Sequence, residues 1–120
     1  MIHHLGFEVS DLASSARFYD AVFYALGARR MLSSEQAVAY GLDSPIVWIV
    51  VRGRPPGPGY GHIALRASGK AAVDAAYRAG VANGGSDDGP PGPRPQYGQR
   101  YYAAYMRDPD GLRVEVVSSV

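Results

Sequence analysis

The chain of 120 residues contains no cysteine. Disulfide scaffolds, thiolate zinc sites and cysteine nucleophiles are therefore excluded. Charge of one sign is not in excess either: twelve basic residues face eleven acidic ones, for a net charge of +1. That balance gives no electrostatic case for nucleic acid or an anionic membrane surface. Long apolar runs are also missing. The longest, Pro45 to Val51, falls far below the roughly 20 residues a membrane span needs. The start, Met1-Ile2-His3-His4, has no basic stretch followed by an apolar run, so no signal peptide is read and a cytoplasmic location is expected. Charged residues are few, at 19%, against 47% hydrophobic, which excludes a disordered chain.

The length fits one domain over residues 1–120, large enough to bury roughly 65% of its unfolded surface. Fifteen glycines and nine prolines imply many turns, and nine tyrosines against three phenylalanines imply a partly polar interior. From Ile2 to Ser10 the residues alternate, with Leu5, Phe7 and Val9 on one face and His4, Gly6, Glu8 and Ser10 on the other. That is a strand with one apolar face. Ser10 or Asp11 caps a helix over 11–27 whose stripe is Leu12, Ala16, Tyr19, Val22, Phe23 and Leu26, stopped by Gly27. Strands follow at Ala28–Leu32, Ala37–Gly41 and Pro45–Val51, the last apolar on both faces and so central. Residues 53–60 are a Pro/Gly linker.

The pattern then restarts. Gly61–Ala67 alternates, with Ile63, Leu65 and Ala67 opposite His62, Ala64 and Arg66. Ser68 is expected to cap a second helix that Gly80 ends. A long Gly/Pro segment, 83–99, reads as a lid or a connector. Strands Tyr101–Arg107 and Leu112–Val117 flank the turn Asp108-Pro109-Asp110-Gly111. At an offset of 58 residues, His4-Leu-Gly-Phe-Glu-Val-Ser10 lies over His62-Ile-Ala-Leu-Arg-Ala-Ser68 and Tyr19 over Tyr77. The expected architecture is α+β, two βαβββ modules of about 1–52 and about 61–120 that form a curled mixed sheet around a cavity, helices outside.

This duplication singles out three side chains. His4 and His62 hold one position in both modules, facing away from the helices, and related strands packed side by side would bring them together. Glu115, between Val114 and Val116, faces the same way, and a carboxylate among valines is costly to bury unless paired or bound to a cation. Two imidazoles and a carboxylate make a facial set suited to Fe, Mn, Ni or Zn. The alternative is two half-buried strand histidines, with Glu115 paired to Arg66 or Arg113. His3 points to the opposite face. Tyr101 and Tyr105 share the cavity side by alternation and suit stacking on, or hydrogen bonding to, a small ligand. Trp48 is a cavity-wall or stacking residue. Arg66 either pairs with Glu8 or anchors an anionic substrate.

The segments His4-Leu-Gly-Phe-Glu-Val-Ser-Asp-Leu12, Ser15-Ala-Arg-Phe-Tyr19, Gly61-His-Ile-Ala-Leu65 and Asp108-Pro-Asp-Gly-Leu-Arg-Val-Glu115 resemble the vicinal oxygen chelate superfamily, also called the glyoxalase / bleomycin resistance / extradiol dioxygenase superfamily. The resemblance implies paired βαβββ modules and a divalent metal on His4, His62 and Glu115. It also implies a homodimer and a small-molecule substrate with two neighbouring oxygens, turned over by lyase, isomerase or dioxygenase chemistry. Trp48 stands where glyoxalase-like members place a fourth ligand, a glutamate. Tyr105 lies ten residues before Glu115, as a tyrosine does in the extradiol dioxygenases, which implies a catalytic hydrogen-bond donor. Their histidine before that tyrosine is Gln96 here. The drug-sequestering members imply a second possibility, a non-catalytic small-molecule binder.

Overall fold

The computed structural model describes every residue except Tyr60, the last residue of the expected linker. The first module runs β1 (Leu5–Glu8), α1 (Leu12–Ala25), β2 (Arg29–Ser33), β3 (Ala37–Gly41) and β4 (Val47–Val50). The second runs β5 (His62–Arg66), α2 (Lys70–Ala82), β6 (Ser86–Asp87), β7 (Gly92–Pro93), β8 (Tyr102–Arg107) and β9 (Arg113–Ser118). The α+β class and the two βαβββ modules are as the sequence implied.

Asp11 caps α1: its carboxylate accepts the Ser14 amide at 2.9 Å and the Ser14 hydroxyl at 2.6 Å. Those two bonds hold its pKa below the usual carboxylate range. Gly27, at φ +83°, supplies the left-handed turn that ends the helix. The second helix departs from expectation at both ends. Its N-cap position falls on Gly69 with no side-chain bond, so Ser68 stands outside it. It also runs through Gly80 to Ala82. Gly80 is an inter-element contact rather than a stop. A Cβ there would stand 2.4 Å from Met106 Sδ on β8 and 2.9 Å from Val22 Cγ2 on α1. Its bare backbone is what lets α2 approach both.

The strands are divided between two open sheets, ordered β1-β4-β3-β2 and β5-β9-β8-β6, with β7 also paired to β8. In each, the module's first and last strands run parallel, β1 with β4 and β5 with β9. The register repeats the duplication: Gly6 lies opposite Trp48, and Ala64 opposite Glu115. The expected long loop is partly strand. β6 and β7 occupy the place that β2 fills in the first module, each two residues long. The prolines around them lack the N–H a longer ladder would use.

The expectation that β1 and β5 lie side by side is not met. Each is the outer strand of its own sheet. Alternation fixes which face a side chain takes, not which edge meets which, and here the two helices pack on each other between the sheets. One core results, drawing Phe18, Tyr19 and Val22 from α1, Val73 and Ala76 from α2, and Ile49, Met106, Val114 and Val116 from the two sheets. Burying each large apolar side chain contributes about 1.5–3 kcal/mol. The opposite sheet faces are left for function. No helix among the described residues is long and apolar enough to cross a membrane.

Candidate functional site

The outward face of the second sheet carries the site. On β9, Arg113 and Glu115 are two residues apart and so share a face. The parallel register sets His62 beside Arg113, and the antiparallel one sets Tyr105 beside Glu115. Glu115 is 2% exposed. Its burial is compensated at both oxygens: His62 Nε2 is 3.1 Å from Oε1, and the Tyr101 hydroxyl donates to Oε2 at 2.5 Å. Neither Arg66 nor Arg113 is the partner. Arg113 Nε instead donates to Asp88 at 2.9 Å, and Arg107 Nε stands 3.2 Å from the same oxygen.

These groups floor a cleft of about 230 Å³, lined by His62, Tyr97, Tyr101, Tyr105, Arg113 and Glu115. The hydrogen bond to Glu115, then burial, then the carboxylate charge push the Tyr101 phenol up to about 12. Tyr101 is therefore a fixed donor at neutral pH. Tyr105 is also raised, first by burial and then by the Glu115 charge, with no hydrogen bond involved. Its hydroxyl is left for a ligand. The Arg113 guanidinium lies 4.1 Å from the centre of the Tyr105 ring, and that of Arg94 lies 5.7 Å away. Tyr97 meets Tyr101 edge-on at 5.4 Å.

The remaining predicted residues stand elsewhere. His4 precedes β1 on the other sheet, its ring 6.4 Å from Trp48 and its Nδ1 2.8 Å from that of His3. Trp48 is half-buried there. Arg66 is exposed and does not line the cleft, and Glu8 pairs with Arg54 at 3.1 Å rather than with Arg66. Sequence reasoning missed Arg113 as a cleft residue and Arg94 as a neighbour of the Tyr105 ring. Alternation from Glu115 was a usable signal for Arg113. Arg94 had none, because a loop of glycine and proline has no periodicity.

A family model described as "Glyoxalase/Bleomycin resistance protein/Dioxygenase superfamily" matches residues 1–116. The chain belongs to this superfamily. Among solved structures, a glyoxalase/bleomycin resistance protein from Albidiferax ferrireducens T118 is 32% identical, with a TM-score of 0.83 over 96% of this chain and 95% of that one. A glyoxalase-related enzyme from Fulvimarina pelagi is 22% identical, with a TM-score of 0.78 over 98% and 87%. The fosfomycin resistance protein FosX from Mesorhizobium loti is 23% identical, with a TM-score of 0.72 over 100% and 92%. The last two show likeness of fold alone. No curated protein matches the chain.

Whether this superfamily member's residues fit a metal can be tested on the site itself. Two ligands about 2.1 Å from one ion at a right angle stand about 3 Å apart. The 3.1 Å between His62 Nε2 and Glu115 Oε1 fits that spacing. The donors, an imidazole nitrogen and a carboxylate oxygen, fit a borderline divalent ion. Tyr101 fixes the second carboxylate oxygen, as outer partners of metal ligands do. A third donor is not supplied by the same chain: no group of three or more His, Cys, Asp or Glu is set to hold one ion among the described residues.

Proposed function

We propose that this superfamily member is a divalent-metal-dependent enzyme acting on a small molecule with two neighbouring oxygens, by lyase, isomerase or dioxygenase chemistry. The observation that carries the reading is the buried Glu115 carboxylate held 3.1 Å from His62 on the floor of a tyrosine-lined cleft. His62 and Glu115 hold the metal, which is Fe, Zn, Mn or Ni, and the third ligand is His4 of a second copy in a homodimer. Three features support the dimer: His4 is remote from the pair in its own chain, β1 and β5 are outer strands, and Ile2, Leu5 and Ile46 are exposed near the edge of β1.

A bound divalent ion supplies Lewis-acid polarisation of neighbouring substrate oxygens. This chain's residues do the rest. Tyr101 keeps Glu115 oriented and its second oxygen occupied. Tyr105, protonated at neutral pH, presents a hydroxyl to the ligand and acts as hydrogen-bond donor or acid. Tyr97 and Tyr101 give an aromatic wall that narrows water access. Trp48 belongs to the reading only as a lining residue brought with His4 by the second copy, and Arg66 only as a residue of the strand that carries His62.

Metal content after purification without an affinity tag tests this. Wild type is expected to carry about one ion per chain, and His62→Ala and Glu115→Ala to carry none. Failure to take up Mn, Fe, Ni or Zn on soaking overturns the enzyme reading. A second reading, a non-catalytic small-molecule binder, then stands. It is favoured by one observation: the aromatic cleft is complete within a chain while the ligand set is not.

A further inference from the structure

We infer that the cleft takes an anionic substrate, and that Arg113 and Arg94, set against the Tyr105 ring, form the subsite for its oxyanion group, a carboxylate or a phosphorus oxyanion. The inference rests on the proposed function for the position of the reacting oxygens, but the subsite itself stands on separate residues.

Charge comes first. Asp88 is shared by Arg107 and Arg113, at 3.2 and 2.9 Å. One carboxylate thus faces two guanidiniums, and Arg94 adds a third. Glu115 keeps its charge, but its oxygens are held by His62 and Tyr101, so it pairs with none of the three guanidiniums. Counted together, three guanidiniums face two carboxylates on this surface before any cation is bound. A divalent ion would raise the excess further.

Geometry comes second. Arg113 uses Nε on Asp88, and its two terminal nitrogens have no partner among the described residues. A guanidinium with free terminal N–H groups matches the paired oxygens of a carboxylate or phosphonate. Arg94 is held in place: its Nη2 donates to the Pro90 carbonyl at 2.7 Å and its Nη1 to that of Pro93 at 3.3 Å. The segment carrying it is strapped to the sheet by bonds from Asp88 N to Tyr105 O, Tyr105 N to Gly89 O and Arg94 N to Tyr101 O. It is therefore a fixed wall rather than a loose lid.

The glycines of the strap are part of the device. A Cβ on Gly92 would lie 3.1 Å from Arg94 Nη1, and one on Gly89 would lie 3.1 Å from Tyr105 Cδ2. Gly89 also has φ +145°, which side chains other than glycine rarely adopt. The backbone is thinned where Arg94 approaches Tyr105. The second hollow, about 260 Å³, opens at this spot and shares Tyr97, Tyr105 and Arg113 with the first. A ligand can thus place its anion on the arginines and its other oxygens toward His62 and Glu115.

The experiment is a titration of the full chain, stripped with a chelator and separately loaded with Mn, using inorganic phosphate, acetate and neutral glycerol as probes. Amide resonances of Asp88, Gly89, Gly92, Arg94, Gln96, Tyr97 and Tyr105 report binding. Saturable shifts with an oxyanion and none with glycerol are expected in the stripped protein. Whether phosphate or acetate binds tighter names the oxyanion. Arg94→Met and Arg113→Met are each expected to weaken binding by at least about tenfold. Arg94 makes no ion pair among the described residues and its segment is held by backbone bonds, so its variant is expected to keep the fold, and unchanged circular dichroism checks this for both. No saturation with either oxyanion, or binding in either variant as tight as in wild type, overturns the subsite. Metal content separates the two readings: oxyanion binding in a chain that takes no metal leaves the subsite standing and removes the enzyme, whereas metal uptake without oxyanion binding does the reverse.

Discussion

The Tyr19 hydroxyl on α1 donates to Asp108 Oδ2 at 2.7 Å, joining the first module's helix to the turn before the second module's last strand. Asp108 is 5% exposed, and its other oxygen accepts the amides of Asp110 and Leu112, both at 2.9 Å. The turn that launches Glu115 into the site is therefore set by a residue of the opposite module. Ser10 adds a second tie, its amide donating to Asp110 at 3.0 Å.

Tyr19→Phe leaves Asp108 Oδ2 buried without a donor. An orphaned buried acceptor costs about 1–3 kcal/mol. Urea unfolding is expected to show a loss in that range with an unchanged m-value, and a midpoint equal to wild type would mean that water replaces the phenol at no cost.

Gly80→Ala sets two effects against each other. Alanine gains about 1 kcal/mol of helix propensity. The new Cβ meets Met106 Sδ at 2.4 Å and Val22 Cγ2 at 2.9 Å, and overpacking costs about 1–3 kcal/mol. Overpacking wins, because Val22 and Met106 are both fully buried. Thermal unfolding is expected at a lower temperature than wild type, and a rise would show that helix α2 can shift away.

Much of the fold was legible because alternation and helical spacing are local. The face assignments of Leu5, Phe7 and Val9, and of Ile63 and Leu65, follow from period two alone. The pairing of Trp48 with Glu115 as equivalent residues followed from the duplication and reappears in the strand register. What was hidden is long-range. Gly80 looks like a helix stop until Met106 and Phe18 are known to lie against it. The separation of β1 from β5 depends on how the two helices pack, which no short spacing encodes. Glu115 was read as facing the way His62 does, and it lies beside that residue, but its partner Tyr101 was read only as a ligand-facing ring.

Alkaline pH should destabilise the protein through two tyrosines. Tyr40 is raised by burial, by its bond to Asp20 at 2.8 Å and by the Asp20 charge; Tyr19 is raised well, by burial and then by Asp108. An unfolded tyrosine titrates near about 10. Both native phenols therefore favour the proton-bound form, and their contribution is whole below about pH 10. It is lost as pH rises beyond that, by up to about 1.4 kcal/mol per pH unit for each tyrosine. Urea midpoints at about pH 8 and about pH 11 are expected to diverge in wild type and to diverge less in Tyr40→Phe. Equal divergence in both would place the alkaline transition elsewhere.

The proposed shared site makes a prediction that a site within one chain cannot. If His4 comes from a second copy, His4→Ala and Glu115→Ala chains each form homodimers with no complete ligand set. Mixed after unfolding and refolding together, they form heterodimers in which one site pairs the intact His4 of the Glu115→Ala chain with His62 and Glu115 of the His4→Ala chain. The other site of that dimer lacks both. Tight metal binding should therefore reappear on mixing, with one ion per mixed dimer, half the wild-type occupancy. Ligands drawn from one chain would give no recovery at any mixing ratio, because each variant would keep its own defect. The outcome turns on geometry alone, since His4 sits before an outer strand of one sheet and the His62–Glu115 pair on the face of the other.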